Sequence, residues 1–360
     1  MIDEMLRAVA RCAEHPEERL AEWIRPYRTP SAAPGPHQFL VMLKPELTSA
    51  TRAPDGRKLL AWVLAVLADH GVRPGAARVL SGAHVAYERV VESHYAMLNA
   101  ISRHGLPSVS AAALDRLLEH FPQAAEVPDR VLGGHQFLSR FPEFTPRTLD
   151  VLVQNLPVAK AGAGTYAVQP VLDGKPWVLL NAFHPFQAAH FTAPGSALVL
   201  MECTSEQPLR DIRARAVGAT DPRHAEPGTI RRSLLDGRPQ WSGRWDVSTS
   251  LNAIHVSPSD VEAMFAVQRF FGSEGRRLSL DDTLLGRRLL AAGADRKRLQ
   301  ALEHDPEVEV SGLRGPLFEI TEDMDTVAVQ HLLLRLLDDG PAPEAARPQS
   351  GHEGNRDGRR

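Results

Sequence analysis

A chain of 360 residues, of which 43% are hydrophobic, can bury one large core or two modest ones. A formal net charge of −3 excludes a strongly basic surface for nucleic acid or an anionic membrane, and no apolar run reaches the roughly 18 residues that span a bilayer. The two cysteines, Cys12 and Cys203, are too few for a disulfide framework, and the N-terminus lacks a basic region followed by an apolar one, so we expect a cytoplasmic protein without nucleic-acid or membrane partners.

The N-terminal residues 1–36 are predicted to form a helical arm and a linker. Residues 1–28 carry two apolar stripes with helical spacing on either side of a break at His15-Pro16: Met5, Leu6, Val9 and Cys12, then Leu20, Trp23 and Ile24. The stretch from Pro30 to Pro36 is typical of a linker because it is rich in Pro, Ala and Gly. We expect the arm to pack on the core or on a partner subunit, outside the active site.

A strand followed by a helix is predicted next. The apolar run from His37 to Leu43 predicts a buried strand whose end delivers Lys44 to a cleft, although a lysine at such a place is more often a solvated terminus. The helix after it carries one apolar stripe and ends at Gly71, the stripe being Leu60, Val63, Leu64 and Leu67. The following elements are a strand at residues 79–85 and a helix at residues 86–95.

Residues from about 100 to 194 are predicted to form an inserted subdomain with structure of its own. Asp173-Gly174 between two apolar, β-rich runs indicates a hairpin. The glycine-rich stretch from Lys160 to Thr165 favours a tight turn over a phosphate-binding loop, because its lysine precedes the glycines. The spacing of His184 and His190 gives no argument for zinc. The aromatic residues expected in the subdomain core are Phe183, Phe186 and Phe191.

A third strand at residues 197–201 precedes the residues that suggest chemistry. The helix predicted at residues 208–217 carries Arg210, Arg213 and Arg215, and His255 follows further along the chain. A neutral imidazole is a competent nucleophile at neutral pH, while lysine, arginine, hydroxyl and amide side chains can neutralise and align a phosphate chain. On residue types alone, His255 could equally be one of fifteen histidines that reaches a strand end by chance.

Several short motifs stand in a fixed order along the chain: Phe39-Leu40-Val41-Met42-Leu43-Lys44-Pro45, His94-Tyr95, Gly218-Ala219-Thr220-Asp221-Pro222, Glu226 to Arg231, and Asn252-Ala253-Ile254-His255. In this order they resemble the nucleoside diphosphate kinase family, over roughly residues 39–95 and 197–271. The rest of the chain lies outside the resemblance.

The resemblance implies an α+β fold, a ferredoxin-like sandwich of a four-stranded antiparallel sheet with helices on one face. This core would occupy residues 37–271, interrupted by the inserted α/β subdomain and flanked by helical extensions. The resemblance also implies an enzyme, a phosphotransferase in which His255 takes the γ-phosphate of ATP or another nucleoside triphosphate and passes it to an acceptor. Magnesium would be held through the nucleotide phosphates and not by protein ligands. A homo-oligomer is a further expectation.

The resemblance assigns phosphate-binding roles to Lys44, Tyr95, Thr220, Arg231 and Asn252, and a supporting role beside the histidine to Ser257. Two family positions differ in this chain. The family arginine four residues before Gly218 is replaced by Ala214, so Arg213 or Arg215 is the candidate to take its role if the helix there is irregular. The family glutamate that orients the imidazole is replaced by Val267, and the nearest polar candidates are Gln268 and Glu262.

Two further hypotheses stay open at this stage. Because the insertion replaces the family's base-stacking segment, the chain could be a specialised kinase for a non-nucleotide small molecule or a modified nucleotide in a biosynthetic pathway. Because two family positions have changed, it could instead be a non-catalytic nucleotide-binding or regulatory module. Residues 272–337 are predicted to form a helical extension with short strand-like pieces at 308–310 and 317–320, and residues 338–360 a disordered tail.

Overall fold

The computed structural model describes residues 1–30, 37–162, 164–237, 245–272, 276–310 and 312–339. Most of the predicted linker from Pro30 to Pro36 and nearly all of the predicted tail at 338–360 lie outside the described residues. No helix within these ranges is long and apolar enough to cross a membrane.

The strands are, in chain order, β1 (Ala21–Arg25), β2 (His37–Leu43), β3 (Arg73–Ser81), β4 (Val131–Gly133), β5 (Ala159–Gly162), β6 (Thr165–Val168), β7 (Val171–Leu172), β8 (Lys175–Pro176), β9 (Val178–Leu180), β10 (Ala197–Ser205), β11 (Ile254–Val256), β12 (Glu307–Val310) and β13 (Leu313–Pro316).

The α-helices are α1 (Ile2–Glu14), α2 (Pro45–Ala50), α3 (Gly56–Asp69), α4 (Gly82–Tyr87), α5 (Val90–His94), α6 (Ala96–His104), α7 (Ala111–His120), α8 (Gln123–Glu126), α9 (Gly134–Arg140), α10 (Pro146–Val153), α11 (His184–Phe191), α12 (Leu209–Asp211), α13 (Ile230–Leu235), α14 (Asp260–Phe270), α15 (Leu284–Ala291), α16 (Arg296–Ala301), α17 (Leu317–Thr321) and α18 (Thr326–Asp339). A π-helix at Ile212–Val217 continues α12, and short 3-10 helices lie at Leu106–Ser108, Pro128–Arg130, Pro222–His224, Leu280–Asp282 and Leu302–His304.

The core is a sheet in the order β1-β3-β10-β2-β11, in which every neighbouring pair is antiparallel. Apart from β1, the strands and the helices between them follow the βαββαβ order of a ferredoxin-like sandwich, so the predicted α+β fold class is confirmed. Strand β2 is predicted correctly, and all its residues are buried, which explains its unbroken apolar sequence. Strand β3 begins and ends earlier than predicted, because Ser81 accepts a hydrogen bond from the backbone N–H of His84 and thereby caps α4.

The prediction of a helix over residues 21–25 is wrong, because these residues form β1 at the edge of the core sheet. Strand β1 pairs with β3, and Trp23 packs against Phe271 with the guanidinium of Arg78 over its ring. The helical spacing of the apolar residues is overridden because β1 satisfies the backbone groups of β3 that would otherwise lie at an open sheet edge. The N-terminal arm is therefore part of the core.

Helices cover both faces of the sheet and not one face as predicted. Along β2, Phe39, Val41 and Leu43 contribute to an apolar layer shared with α1 and α3. The alternate residues Leu40 and Met42 contribute to a second layer, which α14 closes. Since both faces are apolar, both must be buried, and α14 together with α4 and α5 covers the second one.

The insertion contains a second sheet in the order β4-β9-β6-β5, with its own apolar clusters on α7 and α9. The hairpin at Asp173-Gly174 is predicted correctly, since these residues join β7 to β8 with φ values of 49° and 71°. The glycine-rich stretch from Lys160 is likewise a connection between two strands, because Gly164 with φ of 66° leads into β6 and β6 pairs with β5.

The C-terminal extension packs on α14 through a cluster of buried apolar residues. A buried polar group also ties it to the core, because the Asp260 carboxylate lies 3.0 Å from His37 Nδ1 and accepts a hydrogen bond of 2.6 Å from Thr326 Oγ1. The strand-like piece predicted at residues 317–320 is the helix α17, whose first turn is capped by the Asp305 carboxylate through the N–H of Phe318.

Candidate active site

A cavity of about 1120 Å³ lies where the core, the insertion and the C-terminal extension meet. It is lined by most of the residues that the sequence predicted for the site: Lys44, Tyr95, Arg213, Thr220, Arg231, Asn252 and His255. Ser257 and Arg215 are not among the lining residues. The motifs that are spread over the sequence therefore meet in one place.

His255 is held on β11 by an unusual backbone two residues before it. Ala253 has φ of 71°, a left-handed conformation that non-glycine residues rarely adopt. The buried carboxylate of Glu46 accepts a hydrogen bond of 2.8 Å from the Ala253 N–H, and the N–H of Lys44 donates to the Ala253 carbonyl at 2.9 Å. These bonds stabilise the strained residue and fix the start of the strand that carries His255. Nothing in the sequence pattern singled out Glu46 for this role.

The imidazole of His255 meets the imidazole of His94, with the two Nε2 atoms 3.2 Å apart and the ring planes at 86°. Burial lowers the pKa of His255 well below its usual value, and burial with the nearby Arg269 lowers the pKa of His94 to about 3. Both rings are therefore neutral at pH 7, so one Nε2 donates and the other accepts. When His255 donates, its Nδ1 keeps a free lone pair.

Two buried cations lie in the wall of the cavity near His255. Lys44 donates a hydrogen bond of 2.6 Å from Nζ to the Asn252 side-chain carbonyl, and burial lowers the pKa of Lys44 to about 8. The Arg231 guanidinium donates to the backbone carbonyls of Gly218 at 2.9 Å, Ile254 at 2.7 Å and Asn252 at 3.3 Å. Burial lowers the pKa of Arg231 to about 10. Neither cation forms an ion pair with a described residue, so an anionic ligand would supply the missing charge.

Two hydroxyl groups complete this wall. The Tyr95 hydroxyl is buried and has no hydrogen-bond partner among the described residues, while its ring lies 5.7 Å from that of His255. Thr220 lies at the exposed rim, and its carbonyl accepts a hydrogen bond of 3.0 Å from the Asn252 side-chain amide. A buried hydroxyl without a partner is costly, and a phosphate oxygen in the cavity would satisfy it.

The helix before Gly218 is irregular, and this decides between the two candidate arginines. Residues Ile212–Val217 form a π-helix, in which the Gly218 N–H donates to the Arg213 carbonyl five residues earlier at 2.8 Å. This wider turn brings Arg213 to the cavity, while Ala214 also lines it and Arg215 is exposed. Of the two candidates, Arg213 lines the cavity and Arg215 does not, and Arg210 from the same segment lines it as well.

Ser257, for which a supporting role beside the imidazole was predicted, bonds to the backbone of the neighbouring strand β2. The Ser257 hydroxyl accepts a hydrogen bond of 3.2 Å from the N–H of Leu40, so it extends the pairing of β11 with β2. Gln268 donates to the carbonyl of Leu278 and does not reach His255. These residues hold the strand and the helix in place and leave the imidazole to His94.

Glu262 is the acidic side chain that does approach His255. Its carboxylate and the ring nitrogens of His94 and His255 lie within 4.8 Å of one another. Burial, with a smaller contribution from Asp305, raises the pKa of Glu262 to about 8. The sequence offered Glu262 as one of two polar candidates near the replaced family glutamate. The Ser259 hydroxyl fixes its place in the first turn of α14 by accepting a hydrogen bond of 3.2 Å from the Glu262 N–H.

The far walls of the cavity come from the insertion and the C-terminal extension. The insertion supplies a largely apolar wall: Met97, Tyr166, Val168, Leu179 and Phe183. Phe183 thus lines the cavity and is not subdomain core as predicted, whereas Phe191 is buried beside Tyr95. An ion pair joins the two walls, because Glu322 of the extension contacts Lys160 of the insertion at 3.4 Å, and Glu322 also contacts Arg213 of the core at 2.9 Å.

No protein-family model matches the chain, and no curated protein matches it in sequence. Among solved structures it is similar to a nucleoside diphosphate kinase from Encephalitozoon cuniculi, at 14% identity over 68% of this chain and 94% of that one with a TM-score of 0.32. A nucleoside diphosphate kinase from Borrelia burgdorferi, with bound vanadate and ADP, is similar at 16% identity over 69% and 93% of the two chains, with a TM-score of 0.32. The third is an NDP kinase from Pyrobaculum aerophilum, at 18% identity over 68% and 100%, with a TM-score of 0.33.

Proposed function

We propose that this chain is a phosphotransferase similar to the nucleoside diphosphate kinases, which moves the γ-phosphate of a nucleoside triphosphate through a phosphohistidine at His255 to an acceptor. The observation that carries the proposal is the His255 imidazole in a cavity wall beside two buried cations, Lys44 and Arg231, that form no ion pair with described residues. Such a wall suits a polyanion, and the neutral His255 imidazole is a nucleophile in the same wall.

The first step forms a bond between His255 Nδ1 and the γ-phosphorus. The lone pair of Nδ1 attacks, the bond from the γ-phosphorus to its bridging oxygen breaks, and the nucleoside diphosphate leaves with that electron pair. The proton on Nε2 stays in place and is shared with His94, which spreads the positive charge that develops on the ring. In the second step an acceptor oxygen attacks the phosphorus, and the electron pair of the N–P bond returns to Nδ1.

The phosphate-binding residues act through charge and hydrogen bonds. Lys44 and Arg231 neutralise the oxygens that gain charge during transfer, and the Tyr95 hydroxyl donates a hydrogen bond to them. Asn252 acts indirectly, because its side-chain carbonyl holds the Lys44 ammonium in place. Arg213 also lines the cavity, and a phosphate chain would compete with Glu322 and Asp323 for its guanidinium.

Magnesium fits this arrangement as a ligand of the nucleotide and not of the protein. The donors in the cation-rich wall are nitrogen and hydroxyl groups, and the Glu46 carboxylate beside them is already occupied by His190 at 3.1 Å and by the Ala253 N–H. Such donors suit phosphate oxygens, whereas Mg²⁺ prefers carboxylates and water. The ion would neutralise part of the triphosphate charge, and the side chains described above would position the nucleotide that carries it.

A second candidate is a specialised kinase whose acceptor is a small molecule and not a nucleoside diphosphate. The specific observation in its favour is the apolar wall from the insertion, which lines the same cavity as the cations. A cavity of about 1120 Å³ is larger than most single-ligand pockets, so donor and acceptor could be enclosed together.

The test is to incubate the protein with γ-labelled ATP and Mg²⁺, stop the reaction at neutral and at acid pH, and locate the label. We expect an acid-labile phosphohistidine that His255→Gln abolishes. His224→Gln is the matched control, because His224 also lines the cavity but its side chain is 79% exposed. Nucleotide-induced thermal stabilisation of His255→Gln without any label on the wild type would instead favour a non-catalytic binding module.

The labelled protein then separates the two candidate acceptor classes. Discharge by common nucleoside diphosphates supports the nucleotide-exchange reaction. A stable labelled protein that only a small molecule with a hydroxyl or phosphate group discharges supports the specialised kinase.

A further inference from the structure

Three groups with metal-binding atoms converge in the cavity on the side of His255 that faces His94. His94 ends α5, His255 lies on β11, and Glu262 lies in the first turn of α14. One ligand atom from each, two imidazole nitrogens and a carboxylate oxygen, lie within 4.8 Å of one another. The three elements are held independently by the core sheet and by the helices packed on it, so the cluster is not a feature of one flexible loop.

The separation of the two imidazole nitrogens suits a shared metal ion. The Nε2 atoms are 3.2 Å apart, and the ring centroids are 4.9 Å apart at an interplanar angle of 86°, so the rings meet at an angle and not end to end. Two nitrogens bound to one tetrahedral zinc at about 2.0–2.1 Å lie about 3.4 Å from each other. A small rotation of either ring therefore turns this contact into two metal bonds.

The third group, the Glu262 side chain, is not held by another partner among the described residues. The Glu262 carboxylate makes no hydrogen bond or ion pair with any described residue, whereas the neighbouring cations are already committed. Arg213 pairs with Glu322 at 2.9 Å and Asp323 at 2.5 Å, and Arg269 donates to the Ser93 carbonyl at 2.7 Å. The Glu262 carboxyl oxygens are therefore free to bind a cation that also contacts the two imidazoles.

We propose that His94, His255 and Glu262 form a binding site for a zinc-class divalent ion, with the fourth position open to the cavity. Two imidazoles and one carboxylate with an open position are a donor set typical of catalytic zinc sites. Imidazole nitrogen favours Zn²⁺ and similar transition metals over Mg²⁺, so this site is distinct from any magnesium that travels with a nucleotide.

The site would regulate the phosphotransferase, and this consequence rests on the proposed function. A neutral imidazole that gives its Nε2 lone pair to a metal carries its proton on Nδ1. The Nδ1 atom then has no lone pair with which to attack phosphorus, so metal binding and phosphorylation of His255 exclude each other. Zinc would hold the enzyme in an inactive form until it is removed.

The experiment titrates the full-length protein, free of nucleotide, with Zn²⁺ by calorimetry and with Co²⁺ by visible absorption. We expect one ion per chain, a tetrahedral cobalt spectrum, and binding weakened at least about tenfold in His94→Asn and in Glu262→Gln. His224→Asn is the control on the cavity rim. Glu262→Asp keeps the carboxyl group and should retain part of the zinc affinity. It is the control that separates loss of a metal ligand from a folding defect in Glu262→Gln. Unchanged zinc binding in these variants, an octahedral cobalt spectrum or no binding would overturn the proposal.

Labelling with γ-labelled ATP provides the second arm. Zinc should reduce the labelling of His255 at constant Mg²⁺, and 1,10-phenanthroline, which removes zinc and leaves magnesium, should restore it. Zinc-saturated protein that still labels at the full rate would show that His255 is not a ligand and would overturn the site as described. Because metal binding is measured without nucleotide, a wild-type protein that never labels would count against the phosphotransferase and leave the cobalt spectrum to decide the metal site.

Discussion

Replacing Lys44 with methionine should make the protein more stable while it weakens nucleotide binding. Lys44 is only 4% exposed, and burial lowers its pKa from 10.5 to about 8. This difference means that keeping the ammonium charged in the folded protein costs about 3 kcal/mol at pH 7. Methionine has a similar volume and no charge, but it leaves the Asn252 side-chain carbonyl without its donor, which costs about 1 kcal/mol. The net gain in the free energy of unfolding is about 2 kcal/mol.

The sign of the pH dependence follows from the same pKa. Below pH 8 the folded and unfolded states both hold the Lys44 proton, so the full cost is present. Between about pH 8 and 10.5 the folded state loses its proton first, so the wild type becomes more stable with rising pH and the advantage of the variant shrinks. By pH 9.5 the charge cost should be about half of its value at pH 7.

Urea unfolding of the wild type and Lys44→Met at pH 7 and pH 9.5 measures both quantities. Lys58→Met, an exposed position on α3, is the matched control for loss of a lysine charge. Binding of a nucleoside triphosphate, followed by calorimetry, should be strongly weakened in Lys44→Met and unchanged in Lys58→Met. A Lys44→Met protein that is less stable than the wild type at pH 7, or whose stability difference is the same at both pH values, would refute the reasoning.

Three further changes test other parts of the site. His94→Phe keeps an aromatic ring but removes the acceptor of the His255 Nε2 proton. Because an unsatisfied buried donor costs about 1–3 kcal/mol, phosphohistidine formation in zinc-free buffer should slow roughly 5- to 150-fold. A full labelling rate would mean that His94 does not orient the imidazole. Tyr95→Phe removes a buried hydroxyl that has no partner among the described residues. The melting temperature should be unchanged or higher, while nucleotide affinity should fall about tenfold. Equal nucleotide affinity of the variant and the wild type in a binding titration would contradict this prediction. Arg213→Gln should raise the KM for the nucleotide several-fold, and Arg215→Gln should leave it unchanged, because of these two arginines only Arg213 lines the cavity. Equal effects of the two substitutions would mean that the π-helix does not place the two side chains differently with respect to the nucleotide.

The parts of the fold that local rules determine were predictable from the sequence. The apolar run of β2 and the glycine at position 71, which has φ of 75°, mark a strand and a helix end through residues whose conformation depends on few distant contacts. The hairpin at Asp173-Gly174 belongs to the same class. The edge strand β1 does not, because its conformation is decided by the backbone of β3, which lies more than forty residues away in the chain.

The details of the site depended on geometry that spacing cannot give. A π-helix adds one residue to a turn, and the sequence from Ile212 to Val217 carries no mark that distinguishes it from an α-helix, so the choice of Arg213 over Arg215 needed the structure. The contact of His94 with His255 joins residues 161 positions apart, and no local pattern predicts it. The motif drew attention to Tyr95, while its neighbour makes the direct contact with the imidazole.

The cavity is complete only after three segments of the chain have been synthesised and have folded against one another. Lys44 comes from the beginning of the core, Tyr166 from the insertion and Glu322 from the C-terminal extension, and all three line the same space. During synthesis the last of these walls is made only after the core and the insertion have emerged. An unfinished or truncated chain therefore cannot form the whole cavity, and a protein cut in any one segment loses a wall of the same site. Binding of a ligand in the complete cavity would therefore require that both translation and folding have been completed.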